Sequence, residues 1–511
     1  MLSGDDFEGR APGTPSEEKT VNYIVKRFKE AGVQPGMPDG TFIQDVPVVG
    51  QITSKEASIE IKRRGRALST FNYYNDFMAW PADGSETVDV SNLELVYVGY
   101  GIQAPEEDWD DFKGVDVKGK IILVKNNDPS GLEGKFKDEA RLYYGRYGYK
   151  YEKAKELGAA GVFVIHTTPS AGYPWRVVSN SWSRERFNLP AKGSAGETKI
   201  NGWLTQQASA SIFEAAGLNL MDQLDAAENQ DFKPVVLKNL SLGMKLSAQY
   251  RNLAVKNVVG YIEGSDPELK DEYVVLSAHH DHLGRAAVAV DGDDINNGAL
   301  DNASGVSAML NMAEAYSMVK GRLRRSILLV AVGAEEVGLL GSQYFAQNPT
   351  VHPGKMAANL NFDGLNVFGR TSDMVVIGKG RSNIDEVLNT VTQSRHKTVK
   401  PDQYPDRGYY YRSDHFSFAK IGVPALFPNR GVDFVGKPDG YATDVVKKYE
   451  DTRYHNVGDE ITDVWDLSGA EEDMRILFRV GYLIANDDRM RQWYAGDEFA
   501  ATRQKMIEEA N

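Results

Sequence analysis

The stretch YVVLSAHHDHLG (residues 273–284) decides the fold, because an apolar run typical of a buried strand ends abruptly in histidines and an aspartate. The pattern recurs in SILLVAVGAEE (326–336) and in MAANLNFD (356–363). Between the first two runs, ASGVSAMLNMAEAYSMVK (303–320) has the spacing of a helix. Strand and helix alternate in this way from about residue 245 onward, which predicts an α/β fold with a mostly parallel mixed sheet flanked by helices.

The middle of the chain has a different texture. Residues 90–240 contain short strand patterns such as LELVYVGYGI (93–102) and GVFVIHT (161–167). We interpret this segment as an inserted β-rich domain. The main domain is therefore expected to be discontinuous and to consist of residues 1–89 and 241–511.

Composition excludes several classes of protein. The chain has 511 residues and a formal net charge of -14, which argues against a nucleic-acid surface, since neutralising phosphates requires clustered Lys and Arg. We find no apolar run of about 18 residues, so we expect no membrane span. Cysteine is absent, so that any metal site must be built from imidazole and carboxylate groups.

Residues of metal-binding type follow the predicted strands. In open parallel sheets ligands collect beyond the carboxyl ends of strands, which makes these positions the ones to inspect. They are His279 and Asp281, Glu335 and Glu336, and Asp363, together with Asp301 at the start of a predicted helix and His455 in a polar turn. Singly, each is more often a solvated loop residue or a helix start. Together, their nitrogen and oxygen donors suit zinc, cobalt or manganese.

At this point the chain resembles a known family, the di-zinc metallopeptidases that include bacterial leucyl aminopeptidase and, more distantly, glutamate carboxypeptidase and transferrin receptor. The resemblance rests on DDFEGRAPGTPSEEK (5–19), SAHHDHLG (277–284), DGDDINNGALDNASG (291–305), VGAEEVGLLGS (332–342), NLNFDGLN (359–366), YRSDHFSF (411–418) and RYHNVGDE (453–460). It implies the zinc-exopeptidase, phosphorylase/hydrolase-like fold, in the subgroup that carries an inserted protease-associated domain.

The resemblance also implies a ligand set for two Zn²⁺ ions, with Co²⁺ or Mn²⁺ as substitutes. Asp301 corresponds to the carboxylate that bridges the two ions. Glu336 and His455 correspond to the other ligands of one ion, and His279 and Asp363 to those of the second.

Two catalytic residues follow from the same resemblance. Glu335 corresponds to the general base that takes a proton from a water bridging the two ions and returns it to the leaving amine. Asp281, two residues after His279, is expected to hydrogen-bond the His279 ring and to fix its tautomer. A surface loop for Asp281 and a helix start for Glu335 remain the plainer alternatives.

The segment RGYYYRSDHFSFAKIGVPA (407–425) is similar to a family region that lines the substrate pocket. Arg412, Asp414 and one of three consecutive tyrosines are the candidates for substrate binding, and Tyr410 and Tyr411 are the tyrosines we favour over Tyr409. Aromatic packing under a loop is an equally good account of any single tyrosine, and Asp414 is better placed to support the site from behind.

We therefore expect an aminopeptidase that acts on short peptides. Two rival chemistries use the same scaffold, namely carboxypeptidase-like release of a terminal residue and glutaminyl cyclisation at a single zinc. A receptor-like binding protein without metals is an alternative of another class. The chain begins MLSGDDFEGR, without the basic and apolar regions of a signal peptide, but the resemblance leads us to expect a periplasmic or secreted protein. The sequence gives no indication of an oligomeric state.

Overall fold

The computed structural model describes residues 1–136, 141–171, 173–190 and 198–510. The chain divides into two compact units. Unit 1 consists of Met1–Pro47, Leu253–Tyr404 and Tyr409–Asn511, and unit 2 of Val48–Asn252 and Pro405–Gly408. The predicted insert, residues 90–240, falls within unit 2, which starts before it and ends after it. The division into residues 1–89, 90–240 and 241–511 stays a prediction, as does the protease-associated character of the insert.

The sheet of unit 1 is built around the strand Tyr273–His279. This strand lies parallel to Ser326–Val332 on one side and to Met356–Asn361 on the other. Ala425–Asn429 continues the parallel set beyond Met356–Asn361. Antiparallel neighbours flank this parallel set on both sides, since the end of Val235–Ile262 pairs with Ser326–Val332 and Asp373–Ile377 pairs with Ala425–Asn429. The predicted α/β class with a mostly parallel sheet is confirmed.

Helices cover this sheet because its strands are apolar on both faces. All seven residues of Ser326–Val332 are buried, as expected of a central strand between two helical layers. The helices of unit 1 are Pro15–Glu30, Gly305–Met318, Leu340–Gln347, Ile384–Gln393, His415–Lys420, Tyr441–Thr452, Ser468–Asn486 and Ala500–Ala510. Its remaining strands are Gln34–Pro35, Gly284–Val290, Asp293–Asn296 and Thr398–Pro401. None of the helices in the described ranges is both long enough and apolar enough to cross a bilayer.

Unit 2 has its own sheet and its own core. Four strands run parallel, in the order Thr87–Tyr97, Ile121–Lys125, Gly161–His166 and Ile200–Thr205. Antiparallel partners are supplied by Phe77–Pro81, Ser58–Arg63, Arg66–Asn72 and the first part of Val235–Ile262, and the shorter strands are Gln103–Ala104, Trp109–Asp110 and Arg186–Asn188. The strand Ile43–Thr53 begins in unit 1 and ends in unit 2. The helices are Tyr147–Glu156, Thr168–Ala171, Trp175–Trp182, Gln206–Ala215 and Leu220–Ala226.

Candidate metal centre

The parallel strands of unit 1 bring their carboxyl ends to one edge of the sheet. His279 is the last residue of Tyr273–His279, and Glu335 and Glu336 follow Ser326–Val332 after a two-residue connection. Asp363 follows Met356–Asn361. Because these three strands are neighbours and parallel, the side chains that leave them meet above the same edge.

Asp301 lies between two histidines. Its Oδ1 atom is 3.3 Å from Nε2 of His279, and its Oδ2 atom is 3.3 Å from Nε2 of His455. Each of the two rings also faces a second carboxylate. His279 Nε2 is 3.3 Å from Oδ1 of Asp363, and His455 Nε2 is 3.1 Å from Oε2 of Glu336. These five residues, called the metal-type residues below, therefore form two groups of donors that share Asp301.

The spacing of these donors fits zinc. Ligand atoms that lie 2.0–2.2 Å from a tetrahedral zinc ion are roughly 3.3 Å apart from each other. The nitrogen-to-oxygen distances in both groups, 3.1 to 3.3 Å, match that separation. Donor atoms of His279, Asp301 and Glu336 lie within 4.8 Å of one another, and so do those of His279, Glu335 and Asp363. The residues present thus fit a divalent cation held by imidazole and carboxylate.

The charges of the site favour cations at both positions. Burial lowers the pKa of His455, but hydrogen bonds to Asp301 and Glu336 outweigh it and raise this pKa to about 10. The pKa of His279 is also well above its ordinary value, because the charge of Glu335 and the bonds to Asp301 and Asp363 outweigh burial. Burial would raise the pKa of Asp301, yet its bonds with the two histidines hold it below the usual range.

Asp281 holds the turn that presents the two glutamates. Its buried carboxylate accepts hydrogen bonds from the backbone N–H groups of Glu335, at 3.1 Å, and Glu336, at 3.3 Å. The sequence predicts a hydrogen bond from this carboxylate to the His279 ring. The bond is not formed, because Asp281 Oδ1 is 3.8 Å from Nδ1 of the ring, which is too far for a hydrogen bond. The backbone carbonyl of Asp281 is nearer to Nδ1, at 3.3 Å, and is the group placed to fix the tautomer.

Two further residues of the site lie within the motifs at 277–284 and 453–460 but were not identified from the sequence as partners of the ligands. The fully buried His282 lies 2.6 Å from Oε1 of Glu336 through its Nδ1 atom and so fixes the second oxygen of that carboxylate. The buried Asp459 accepts hydrogen bonds from the backbone N–H groups of Leu300 and Asp301, the latter at 3.0 Å. His282 stood in a run of histidines and Asp459 in an acidic loop, and only their partners far along the chain reveal what they do.

The part of the chain that contains this centre is similar to a known protein family. Residues 257–476, which contain all five metal-type residues, match the model of peptidase family M28. We refer to residues 257–476 as the M28 domain, after the family model that they match. The sequence resemblance to the metallopeptidases is thereby confirmed for the M28 domain.

The chain is similar to proteins named as a carboxypeptidase and to proteins named as aminopeptidases. The chain is 26% identical to a glutamate carboxypeptidase 2 homolog of Caenorhabditis elegans, over 53% of this chain and 36% of that protein. It is 25% identical to aminopeptidase YwaD of Bacillus subtilis, over 68% of this chain and 60% of that protein. The matched segments thus span about a third and about three fifths of these relatives. An aminopeptidase structure from Aneurinibacillus sp. strain AM-1 is 20% identical, with 94% and 91% of the two chains covered and a TM-score of 0.46.

The predicted substrate tyrosines of the M28 domain are buried. The hydroxyl of Tyr411 donates to Oε1 of Glu498 at 2.9 Å, and the Tyr410 ring lies under the guanidinium of Arg381, 4.2 Å from its centre. Both rings therefore pack beside the segment that precedes the C-terminal helix. A substrate role for Tyr410 and Tyr411 stays a prediction, and the packing alternative has direct support in these contacts.

The other two substrate candidates lie in contrasting environments. Arg412 is exposed, with its guanidinium 5.3 Å from the centre of the Tyr409 ring. Asp414 is fully buried, and in the described part of the chain no hydrogen bond of normal geometry reaches either of its carboxylate oxygens. Burial raises the pKa of Asp414 to about 7, although the charge of His279 lowers it. Arg412 is thus open to a substrate, whereas Asp414 acts on the centre from within the protein.

Tyr454 is an additional aromatic residue at the M28 centre. Its ring stacks on that of the metal-type residue His455, with 3.9 Å between centroids and 23° between planes. Burial and the charge of Asp301 raise the pKa of its phenol, although the charge of Arg412 lowers it. With 38% of its surface exposed, the Tyr454 hydroxyl is a protonated donor next to the site. The chain has 25 tyrosines, so adjacency to His455 was the only signal that could have singled it out.

Proposed function

We propose that this chain is an aminopeptidase that holds two zinc ions and removes N-terminal residues from short peptides. The observation that carries the proposal is the position of Asp301, whose two oxygens each lie 3.3 Å from a different histidine. When bound, zinc would supply Lewis acidity toward a peptide carbonyl and lower the pKa of water. Cobalt or manganese would accept the same donors.

The ligands divide between the two ions as the distances suggest. His279 and Asp363 would hold one ion, His455 and Glu336 the other, and Asp301 both. The surrounding residues would orient these ligands, a role that hydrogen-bonded partners of metal ligands commonly have.

Glu335 is our candidate for the general base. One of its carboxylate oxygens lies within 4.8 Å of donor atoms of His279 and Asp363. Burial raises the pKa of Glu335 well above its ordinary value, and although His279 opposes this, Glu336, Asp414 and Asp363 reinforce it. A carboxylate of raised pKa accepts a proton readily at neutral pH. It would take a proton from the attacking water and return it to the nitrogen of the leaving peptide.

The charge of the site favours a substrate with a free amino terminus. Beyond the three ligand carboxylates, four more act on the same centre, namely Asp281, Glu335, Asp414 and Asp459. Glu335 and Asp414 have raised pKa values, so these groups are not all charged at neutral pH, but a centre surrounded by seven carboxyl groups suits a positively charged α-ammonium group better than a further carboxylate. The free carboxylate of a carboxypeptidase substrate would require a basic pocket instead.

Two finer assignments rest on the sequence resemblance. We propose that the insert at residues 90–240 is a protease-associated domain, because the motifs on either side of it are those of the subgroup that carries one. We also propose that the protein works in the periplasm or outside the cell, as the members it resembles do.

The first experiment is metal analysis combined with a panel of peptide reporters, measured before and after chelation. We expect two zinc ions per chain and chelator-sensitive hydrolysis of aminoacyl reporters with a free amine. Cleavage of N-blocked reporters, or release of C-terminal residues, would instead indicate another exopeptidase branch. A protein with neither metal nor turnover would contradict the proposal in favour of a receptor-like role.

A further inference from the structure

The N-terminal segment DDFEGRAPG (5–13) is fitted tightly against the hairpin that precedes Asp301. At Gly9, where φ is +68°, a Cβ atom would lie 2.5 Å from the backbone oxygen of Asn296 and 2.8 Å from Cα of Gly284. Only glycine allows this approach. Arg10 follows with φ of +53°, and this left-handed turn directs its side chain into the protein, where it is 1% exposed.

The buried guanidinium of Arg10 donates to four backbone carbonyls. Its Nε atom bonds the oxygen of His280 at 3.0 Å, and Nη2 bonds that of Gly298 at 2.9 Å. Nη1 bonds the oxygens of Asn297 and Leu2, both at 2.7 Å. All three guanidinium nitrogens are therefore used, in the planar fork that arginine alone among the side chains provides.

These bonds join two loops that carry metal-type residues. His280 directly follows His279, and Gly298 lies three residues before Asp301. The backbone oxygen of Arg10 also accepts from the N–H of His282, at 3.3 Å. The separation of the two loops, and with it the distance from His279 to Asp301, is thus fixed by a side chain about 270 residues away in sequence.

The connection extends to the third loop of the centre. Asn297, whose carbonyl accepts from Arg10, donates through its Nδ2 atom to Asp5, at 3.0 Å, and to Glu460, at 3.1 Å. Glu460 lies in the loop that contains His455. The N-terminal segment therefore ties together the loops of three of the five metal-type residues.

Arg10 is also a buried positive charge beside the centre. Burial lowers its pKa to about 10, while Asp281, Asp301, Asp459 and Glu336 act in the opposite direction. The guanidinium is therefore charged at neutral pH and offsets part of the carboxylate charge from a fixed position.

We propose that Arg10 is a positioning residue of the metal centre, which sets the separation of the His279 and Asp301 loops. The inference deepens the proposed function and rests on it. If Arg10 acts in this way, replacing it should weaken zinc binding more than it weakens the fold.

Arg503 provides a matched control. It is equally buried and also donates to backbone carbonyls, namely those of Arg491, Pro353 and Met356, but none of these residues borders a metal-type residue. Its contacts fasten the C-terminal helix Ala500–Ala510. If replacing either arginine has the same effect, that effect is a general loss of stability. If only the replacement of Arg10 weakens zinc binding, the effect is specific to the metal centre.

The test compares Arg10→Lys, Arg10→Met and Arg503→Lys with the parent chain. Zinc affinity and stoichiometry are measured by competition with a chromophoric chelator, with zinc itself as the probe, and folding is followed by circular dichroism. We expect the Arg10 variants to bind zinc at least tenfold more weakly, in the range reported for lost partners of metal ligands. We expect kcat to fall more than KM rises, and Arg503→Lys to lower thermal stability while it keeps parental zinc affinity.

Parental zinc affinity in folded Arg10→Lys and Arg10→Met would overturn the proposal, as would equal weakening in Arg503→Lys. If a variant at Arg10 does not fold without metal, the zinc concentration needed to restore its circular dichroism is compared with that for Arg503→Lys. An equal requirement also overturns the proposal. Absence of peptidase activity in the parent would refute the proposed function, whereas the zinc measurement would still decide the role of Arg10.

Discussion

Glu335 and Glu336 are adjacent in sequence but differ in electrostatic environment. Burial acts to raise the pKa of both carboxyl groups. For Glu335 the neighbouring carboxylates act in the same direction, and its pKa is raised. For Glu336 the hydrogen bonds with His282 and His455 prevail, and its pKa falls below the ordinary value. One residue is therefore suited to bind a cation and the other to carry a proton.

Replacing Glu335 by Gln should separate these two roles. The amide retains the shape of the side chain but cannot accept the proton, so kcat should fall roughly 10²- to 10⁴-fold, while zinc stays at two ions per chain. Elemental analysis and steady-state kinetics test both quantities. The exposed Glu386, on the helix Ile384–Gln393, is the control, since Glu386→Gln should change neither. Activity within tenfold of the parent in Glu335→Gln would exclude Glu335 as the base.

The sequence predicted the metal-type residues because each follows an apolar strand or a recognisable motif. It did not predict Arg10, His282 or Asp459 as partners, since their roles consist of contacts between distant segments. Arg10 bonds a carbonyl 270 positions away and Asp459 a backbone amide 158 positions away. As one of 58 lysines and arginines, Arg10 has no local property that marks it as buried.

At the scale of elements, the helix His415–Lys420 packs on the strand Ala425–Asn429 through a buried histidine. The His415 ring lies 4.7 Å from that of Phe427 and 4.6 Å from that of Tyr410, measured between centroids. Burial, together with the charge of Arg381, lowers the pKa of His415 to about 3. The ring is therefore neutral in the folded protein, and protonation would oppose this packing.

This burial predicts a loss of stability in mild acid. The folded-state pKa of His415 lies below the ordinary value near 6.5, so its contribution is complete above that value and declines as the pH falls from about 6.5 toward 3. At pH 5 the free energy of unfolding should be lower by about 2 kcal/mol from this group alone. His415→Phe retains an aromatic ring but cannot be protonated. Chemical denaturation of this variant should show a difference in the free energy of unfolding between pH 7 and pH 5 that is smaller than that of the parent chain by about 2 kcal/mol.

The exposed His396 is the control for the acid effect. Its φ of +58° is tolerated by asparagine, so that His396→Asn should keep the full pH dependence of the parent chain. An unchanged pH dependence in His415→Phe would show that this ring does not titrate with unfolding.

The elements were predicted better than their arrangement. The helix expected at residues 303–320 is observed at Gly305–Met318, and the strand runs at residues 273, 326 and 356 begin where the apolar patterns begin. A mixed sheet was predicted, but not which of its strands run antiparallel, because pairing direction depends on connections that leave no periodic signal. The start of unit 2 at Val48, ahead of residue 90, is also unmarked, since the strands Ser58–Arg63 and Arg66–Asn72 resemble strands of any sheet.

At the scale of the whole molecule, the two units have separate hydrophobic cores. The core of unit 2 includes Tyr97, Phe163 and Trp203, and that of unit 1 includes Leu276 and Leu329 from the central strands. All residues of the candidate metal centre belong to unit 1. A ligand that binds only the folded form of one unit stabilises that unit alone, unless the two unfold together.

Chelation should therefore destabilise the units unequally. If zinc is present at about 1,000 times its dissociation constant, each bound ion contributes about 4 kcal/mol, and removal of both ions should lower the melting temperature of unit 1 by roughly 10 to 15 °C. Calorimetry with and without chelator should show two transitions, of which one moves, and hydrogen exchange should assign the shifted transition to residues of unit 1. A single transition that moves as a whole would contradict this expectation, because it would mean that the two cores unfold as one cooperative body.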